Sequence, residues 1–181
     1  MSKQIFKTLL LVGVFLNTAS AYASQSFTFS QEGFAEGGVI SGSFTGTDLN
    51  SDGFLQGASF NAGGITEITE FSVSWSGNSD IPAFSQSLID LTYFSFDTTK
   101  STLGEVGPEG IATNWFGTTG FQYLAGLGVN SYNASYVVNA ETGVNVESFG
   151  LINVTAVPLP GTAWLFGSAL MGLLRLRRRS I

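Results

Sequence analysis

The stretch that decides the fold is Phe71-Ser72-Val73-Ser74-Trp75-Ser76. Three large apolar residues alternate with three serines, the period of a strand with one face buried and one face in water. The same alternation recurs outward in both directions. Phe27 and Phe29 sit among Ser26, Thr28 and Ser30, and Leu91 and Tyr93 give way to the opposite phase at Phe94 and Phe96. Tyr136-Val137-Val138 and Val144-Asn145-Val146 mark two further strands. Turn formers fall between them: Asp52-Gly53, Gly63-Gly64, Gly77-Asn78, Gly107-Pro108, Gly117 to Gly120 and Glu141-Thr142-Gly143. No long window shows helical periodicity. The pattern predicts an all-β domain, an antiparallel β-sandwich or a barrel-like fold, with loops over 77–83 and 104–110. Thirteen of the 16 phenylalanines lie between residues 24 and 156, with Trp75 and Trp115, and their expected place is the core.

The chain has 181 residues, room for one domain with tails. It holds no Cys and no His, which removes thiol nucleophiles, imidazole acid–base chemistry and the usual zinc sites. Charged residues make up 11%, far below the ~25% of a typical soluble domain, so serine and threonine must carry the water-facing sides of the strands. The formal net charge of −6 is unevenly spread. Lys3 and Lys7 lie at one end, and Arg175, Arg177, Arg178 and Arg179 at the other. Between residues 24 and 157, Lys100 stands alone against all 13 acids. Such a middle repels phosphate backbones, so no nucleic-acid partner is expected.

Each basic end flanks an apolar run, the arrangement of membrane-directed segments. At the N-terminus, Lys3 and Lys7 precede the apolar stretch Thr8 to Ala19, and Ala21-Tyr22-Ala23 supplies the small residues of a signal peptidase site. Residues 1–23 therefore read as a secretory signal peptide. An exported domain without cysteine must rest on its hydrophobic core. At the C-terminus, Val157-Pro158-Leu159-Pro160 leads into an uncharged run to Leu174, followed by Arg175, Arg177, Arg178 and Arg179. A helix from Gly161 to about Leu176 would be ~24 Å long, slightly short of a ~30 Å hydrocarbon core, with the arginines on the cytoplasmic side.

This tail resembles a PEP-CTERM sorting domain, the signal recognised by exosortases in Gram-negative bacteria. Three parts match in order: the proline box Val157-Pro158-Leu159-Pro160, the apolar segment WLFGSALMGLL and the arginine cluster. Leu159 stands where the family's name-giving box has glutamate. The resemblance covers about 25 residues and implies a route. The Sec translocon exports the chain, and the apolar helix stalls it in the inner membrane. An exosortase then cuts near the box, sending the domain to the cell surface or the exopolysaccharide matrix. Prolines keep the box extended and free of helix bonds, as a protease requires. The boundaries become 1–23 signal peptide, 24–156 β-rich extracytoplasmic domain and 157–181 sorting signal. Leu159-Pro160-Gly161-Thr162-Ala163 also resembles the Gram-positive LPxTG sortase signal, with Ala163 in place of the last glycine.

Within the domain one motif carries metal chemistry. Asp48-Leu49-Asn50-Ser51-Asp52-Gly53 matches the first half of a calcium loop, with Asp48, Asn50 and Asp52 as the oxygen donors. The twelfth position is Ser59, where an acid is required, and the competing reading is a hairpin loop built from turn formers. Paired acids for glycoside hydrolysis reduce to Glu67 with Glu70, or Asp90 with Asp97. A carbohydrate-binding module would need Trp115, Phe116, Tyr123 or Tyr132 exposed along one face. No catalytic residue and no organic cofactor is assigned. The expected role is a non-enzymatic domain at the surface or in the matrix, in contact with polysaccharide.

Overall fold

A computed structural model describes residues 23–57, 66–130 and 134–158. In chain order their strands are β1 (Gln25–Gln31), β2 (Ile40–Gly46), β3 (Phe54–Gly57), β4 (Ile68–Trp75), β5 (Phe84–Ser87) and β6 (Leu91–Asp97). Then come β7 (Thr102–Leu103), β8 (Gly110–Thr113), β9 (Phe121–Ala125), β10 (Ser135–Asn139), β11 (Asn145–Ser148) and β12 (Ile152–Val157). They form two antiparallel sheets of six strands, in the orders β5-β4-β2-β1-β12-β7 and β11-β10-β9-β8-β6-β3. The fold is thus all-β and sandwich-like. The barrel-like alternative does not hold among the described residues, because no ladder joins the two sheets.

The alternation in the sequence sets which face each sheet buries. In the first sheet Phe27 lies opposite Phe44, and Phe44 opposite Phe71, so three rings form one row across β1, β2 and β4. The row meets the second sheet through Phe94 and Phe96 of β6. The Phe44 and Phe94 centroids are 4.7 Å apart, and Phe27 and Phe96 are 5.3 Å apart, edge to face. Aromatic pairs in this geometry add about 0.5–1.5 kcal/mol each beyond the area they bury. Trp75 closes one side of the core. It is buried, packs edge-on to Phe34 and donates from its indole nitrogen to the Ile81 carbonyl.

The phase switch in β6 has a local cause. Leu91 pairs with Thr113, and the next pair is Tyr93 with Ala112, so Thr92 is an extra residue in the ladder. This bulge re-aims the strand. Leu91, Phe94 and Phe96 all reach the core, while Tyr93 is left half-buried.

Loops fall where turn formers stand. The 77–83 connection joins β4 to β5, and the 104–110 loop is one residue shorter than expected because Gly110 opens β8. No helix among the described residues is long and apolar enough to cross a membrane. The expected signal peptide up to Tyr22 and the expected sorting tail from Leu159, including Pro160 and all four arginines, lie outside the described residues.

Candidate functional surfaces

Four places bear on function: the acidic loop, the buried acids, the aromatic cluster and the outer face of the first sheet. The loop from Asp48 to Phe54 folds on its own side chains. Asp48 accepts from the backbone N–H groups of Asp52 and Gly53 at 3.3 and 2.9 Å. Asn50 Oδ1 accepts from the Asp52 N–H, and Asp52 Oδ1 from the Phe54 N–H, at 3.0 and 2.8 Å. Asn50 Nδ2 and Gln56 Nε2 both donate to Asp52 Oδ2. The oxygens that would face an ion are turned onto the loop itself, as in Asx turns. Among the described residues no group of three or more His, Cys, Asp or Glu is placed to hold a metal ion. Ser59, the twelfth position of the calcium pattern, lies outside the described residues.

The two acid pairs expected from the sequence do not meet in a cleft. Glu67 is buried, and its carboxylate accepts from the backbone N–H groups of Leu49 at 2.7 Å and Gln56 at 2.9 Å. It anchors both ends of the loop from below. Glu70, three residues on, is exposed and takes a bond from Thr45. Asp90 accepts from the Ser87 N–H in the 3-10 turn Leu88–Asp90. Asp90 and Asp97 bracket β6, so at about 3.3 Å per residue they stand ~23 Å apart. A glycosidase pair needs about 5–10 Å.

Sequence reading missed Glu109. It is completely buried, and its carboxylate accepts from the Asp97 N–H at 3.2 Å and the Gly104 N–H at 3.3 Å. Lys100, the lone basic residue of the domain, lies 3.7 Å from both Glu109 Oε2 and Asp97 Oδ2. Hydrogen bonds from the Thr99 hydroxyl and N–H hold the Asp97 carboxyl below the ordinary carboxylate range, with a smaller contribution from the Lys100 ammonium. These groups tie down the 98–109 connection.

Another buried polar set joins the two sheets. Tyr123 donates to Gln31 Oε1 at 2.8 Å, and Gln31 Nε2 donates to Ser135 Oγ and the Gly150 carbonyl at 2.9 and 2.7 Å. Burial raises the Tyr123 phenol far above its ordinary value. Tyr123 is therefore a core residue and cannot line an exposed face, contrary to the aromatic-face expectation. Trp115 and Phe116 do lie together, ring centroids 5.4 Å apart and nearly parallel. The edge of Tyr93 packs against Trp115, which leaves Phe116 as the outermost ring, 65% exposed. Tyr132 lies outside the described residues.

The outer face of the first sheet is almost entirely hydroxyl. The ladder places Ser85, Ser74, Ser41, Ser30, Asn153 and Thr102 in one row across all six strands. A second row runs Ser87, Ser72, Ser43, Thr28 and Thr155. An open depression of about 480 Å³ lies over the middle of these rows.

The two ends of the folded body lie side by side on this sheet. Ala23 is exposed and stands two residues before β1, while Val157 is the last residue of β12 and pairs with Ser26. Pro158 follows at once, exposed. No protein family, curated protein or solved structure matches the chain.

Proposed function

We propose that the chain is an exported, non-enzymatic surface or extracellular-matrix protein whose C-terminus is processed by an exosortase. The observation that carries this reading is the fit of the folded body to the interval between its two sequence signals. β1 begins two residues after Ala23, and β12 ends at Val157, inside the proline box. The two strands are antiparallel neighbours, with Ser26 opposite Val157, so both ends of the folded body leave at the same end of one ladder. A body built this way is held at one point by a membrane tail and released by one cut. The carboxylates of Glu67 and Glu109 are engaged by backbone amides, and the close pair Asp97 and Glu109 shares Lys100, which favours a binding or structural role over hydrolysis.

The test is the intact mass of the protein recovered from the extracellular matrix and from membranes. Matrix material is expected to start near Ser24 and to end near the proline box, and added mass at that end would mean covalent attachment. Extracellular protein that still carries the sequence through Ile181 would overturn the reading, as would a permanently membrane-bound full-length form. Deleting the arginine cluster should also leave precursor uncut.

A further inference from the structure

We propose that the outer face of the first sheet binds a neutral, unbranched polysaccharide laid across its strands. The rows of hydroxyls follow from the ladder register, so they repeat at the strand spacing of about 4.8 Å, and the longer row spans ~24 Å over five intervals. Within this face the polar groups divide in two. Toward β4, β5 and the end of β2 they satisfy one another: Ser43 with Ser72 at 3.0 Å, Ser74 with Ser85 at 2.8 Å and Ser26 with Thr45 at 3.1 Å. In the middle they do not. The side chains of Thr28, Ser30, Ser41, Asn153 and Thr155 bond to no other side chain or backbone group among the described residues, and these five line the depression.

The chemistry selects the ligand. A hydroxyl both donates and accepts, and the Asn153 amide offers both functions side by side, which suits a polymer dense in hydroxyls. Among the described residues the face has no basic side chain. Its two nearby acids sit at its margins, Glu70 bonded to Thr45 and Glu105 to Thr102. With Lys100 alone against the 13 acids, the domain's field rejects polyanions. The side chains are short, so ordering them on binding costs little entropy. The face lies wholly within the described domain, and the inference stands or falls separately from the reading of the tail.

The experiment is co-sedimentation of the full chain in mild detergent with neutral insoluble probes (cellulose, curdlan, mannan and agarose), against covalently cross-linked, calcium-free alginate beads as polyanion. Retention on at least one neutral polymer and none on alginate is expected. Ser41→Arg places a long charged side chain in the depression and should weaken retention about tenfold, with Trp75 fluorescence reporting an intact core. Thr155→Arg, on another strand, is the second variant should Ser41→Arg disturb folding. Phe116→Ala should leave retention unchanged. The proposal is overturned if no neutral polymer retains the protein, if alginate retains it equally, or if both arginine variants fold and bind as the parent does. Loss with Phe116→Ala would also overturn it, moving the site to the aromatic cluster.

Discussion

Lys100→Met removes the single positive charge within reach of a buried acid. Glu109 keeps two backbone donors, at 3.2 and 3.3 Å, both long for bonds to a carboxylate. Taking one partner from a fully buried pair costs about 3–5 kcal/mol. The Lys100 side chain is 32% exposed, so water already shares its role and can replace part of it. The expected loss is therefore about 1.5–3 kcal/mol. At about 4 °C per kcal/mol for a domain of this size, the melting temperature should fall by about 6–12 °C. The assay is urea denaturation followed by tryptophan fluorescence, repeated on Glu109→Gln and on the double variant. Methionine keeps most of the aliphatic stem, so lost packing is a small part of the change. The double variant should recover about 1 kcal/mol or more relative to Lys100→Met, because a neutral amide no longer needs a counter-ion. A loss below about 0.5 kcal/mol for Lys100→Met, or a double variant no better than the single, would refute the reasoning.

Four further perturbations have expected outcomes. Tyr123→Phe leaves Gln31 Oε1 buried without its donor and should cost about 1–3 kcal/mol by urea denaturation. The same residue sets the alkaline limit. Its folded pKa is raised, so its contribution is intact below the unfolded value near pH 10 and falls as the unfolded phenol ionises above it; Tyr123→Phe should flatten that slope. Asp97 behaves oppositely: its folded pKa is lowered, so its contribution is present above the ordinary carboxylate pKa and lost as pH falls through the folded one, and Asp97→Asn should weaken the acid dependence of the melting temperature. Gly42→Ala would place its Cβ 2.3 Å from Phe29 Cζ and from the Ser72 carbonyl oxygen, an overpacking expected to cost about 1–3 kcal/mol in the same denaturation assay. Chelation with EDTA should leave the melting temperature unchanged, since the 48–54 loop is closed by its own hydrogen bonds; a fall of several degrees would restore calcium to that loop.

What the sequence carried plainly was short-range. Phe71, Val73 and Trp75 are buried and Ser72 is exposed, as alternation requires, because a strand that packs on one face repeats every two residues. Gln31 was legible in principle. It continues the inward phase of Phe27 and Phe29, and a polar residue in that phase signals a buried partner. The partner itself, Tyr123, lies 92 residues away and leaves no local trace. Glu109 was illegible for a different reason. It follows Gly107-Pro108 in a loop, where side-chain direction has no period, and it became buried only because the 98–109 connection folds over it. The hydroxyl face sits between these cases. Each strand announces its serines, but rows across six strands exist only once register is fixed, and register is a property of pairing rather than of any one segment.

Register also explains why the last strand matters most. β12 is not an edge: it lies between β1 and β7, with Val154 in the core beside Phe29 and Asn153 and Thr155 facing the depression. The first sheet therefore cannot close until the final residues of the domain are available, and its β1–β12 ladder is the pairing with the greatest sequence separation in the fold. Pairs of this kind are slow to form because loop closure must precede any gain. Under the proposed route, the strand that completes the sheet is also the one nearest the membrane tail, with only Pro158, Leu159 and Pro160 between Val157 and the apolar run that opens at Gly161. Folding and processing then compete for one segment. A cut upstream of Ile152 would remove a central strand and leave Phe27 and Phe29 without a neighbour on one side. A cut beyond Val157 leaves the whole ladder in place. Pro158 has no N–H with which to extend the ladder beyond Val157, so such a cut spares every β1–β12 pairing.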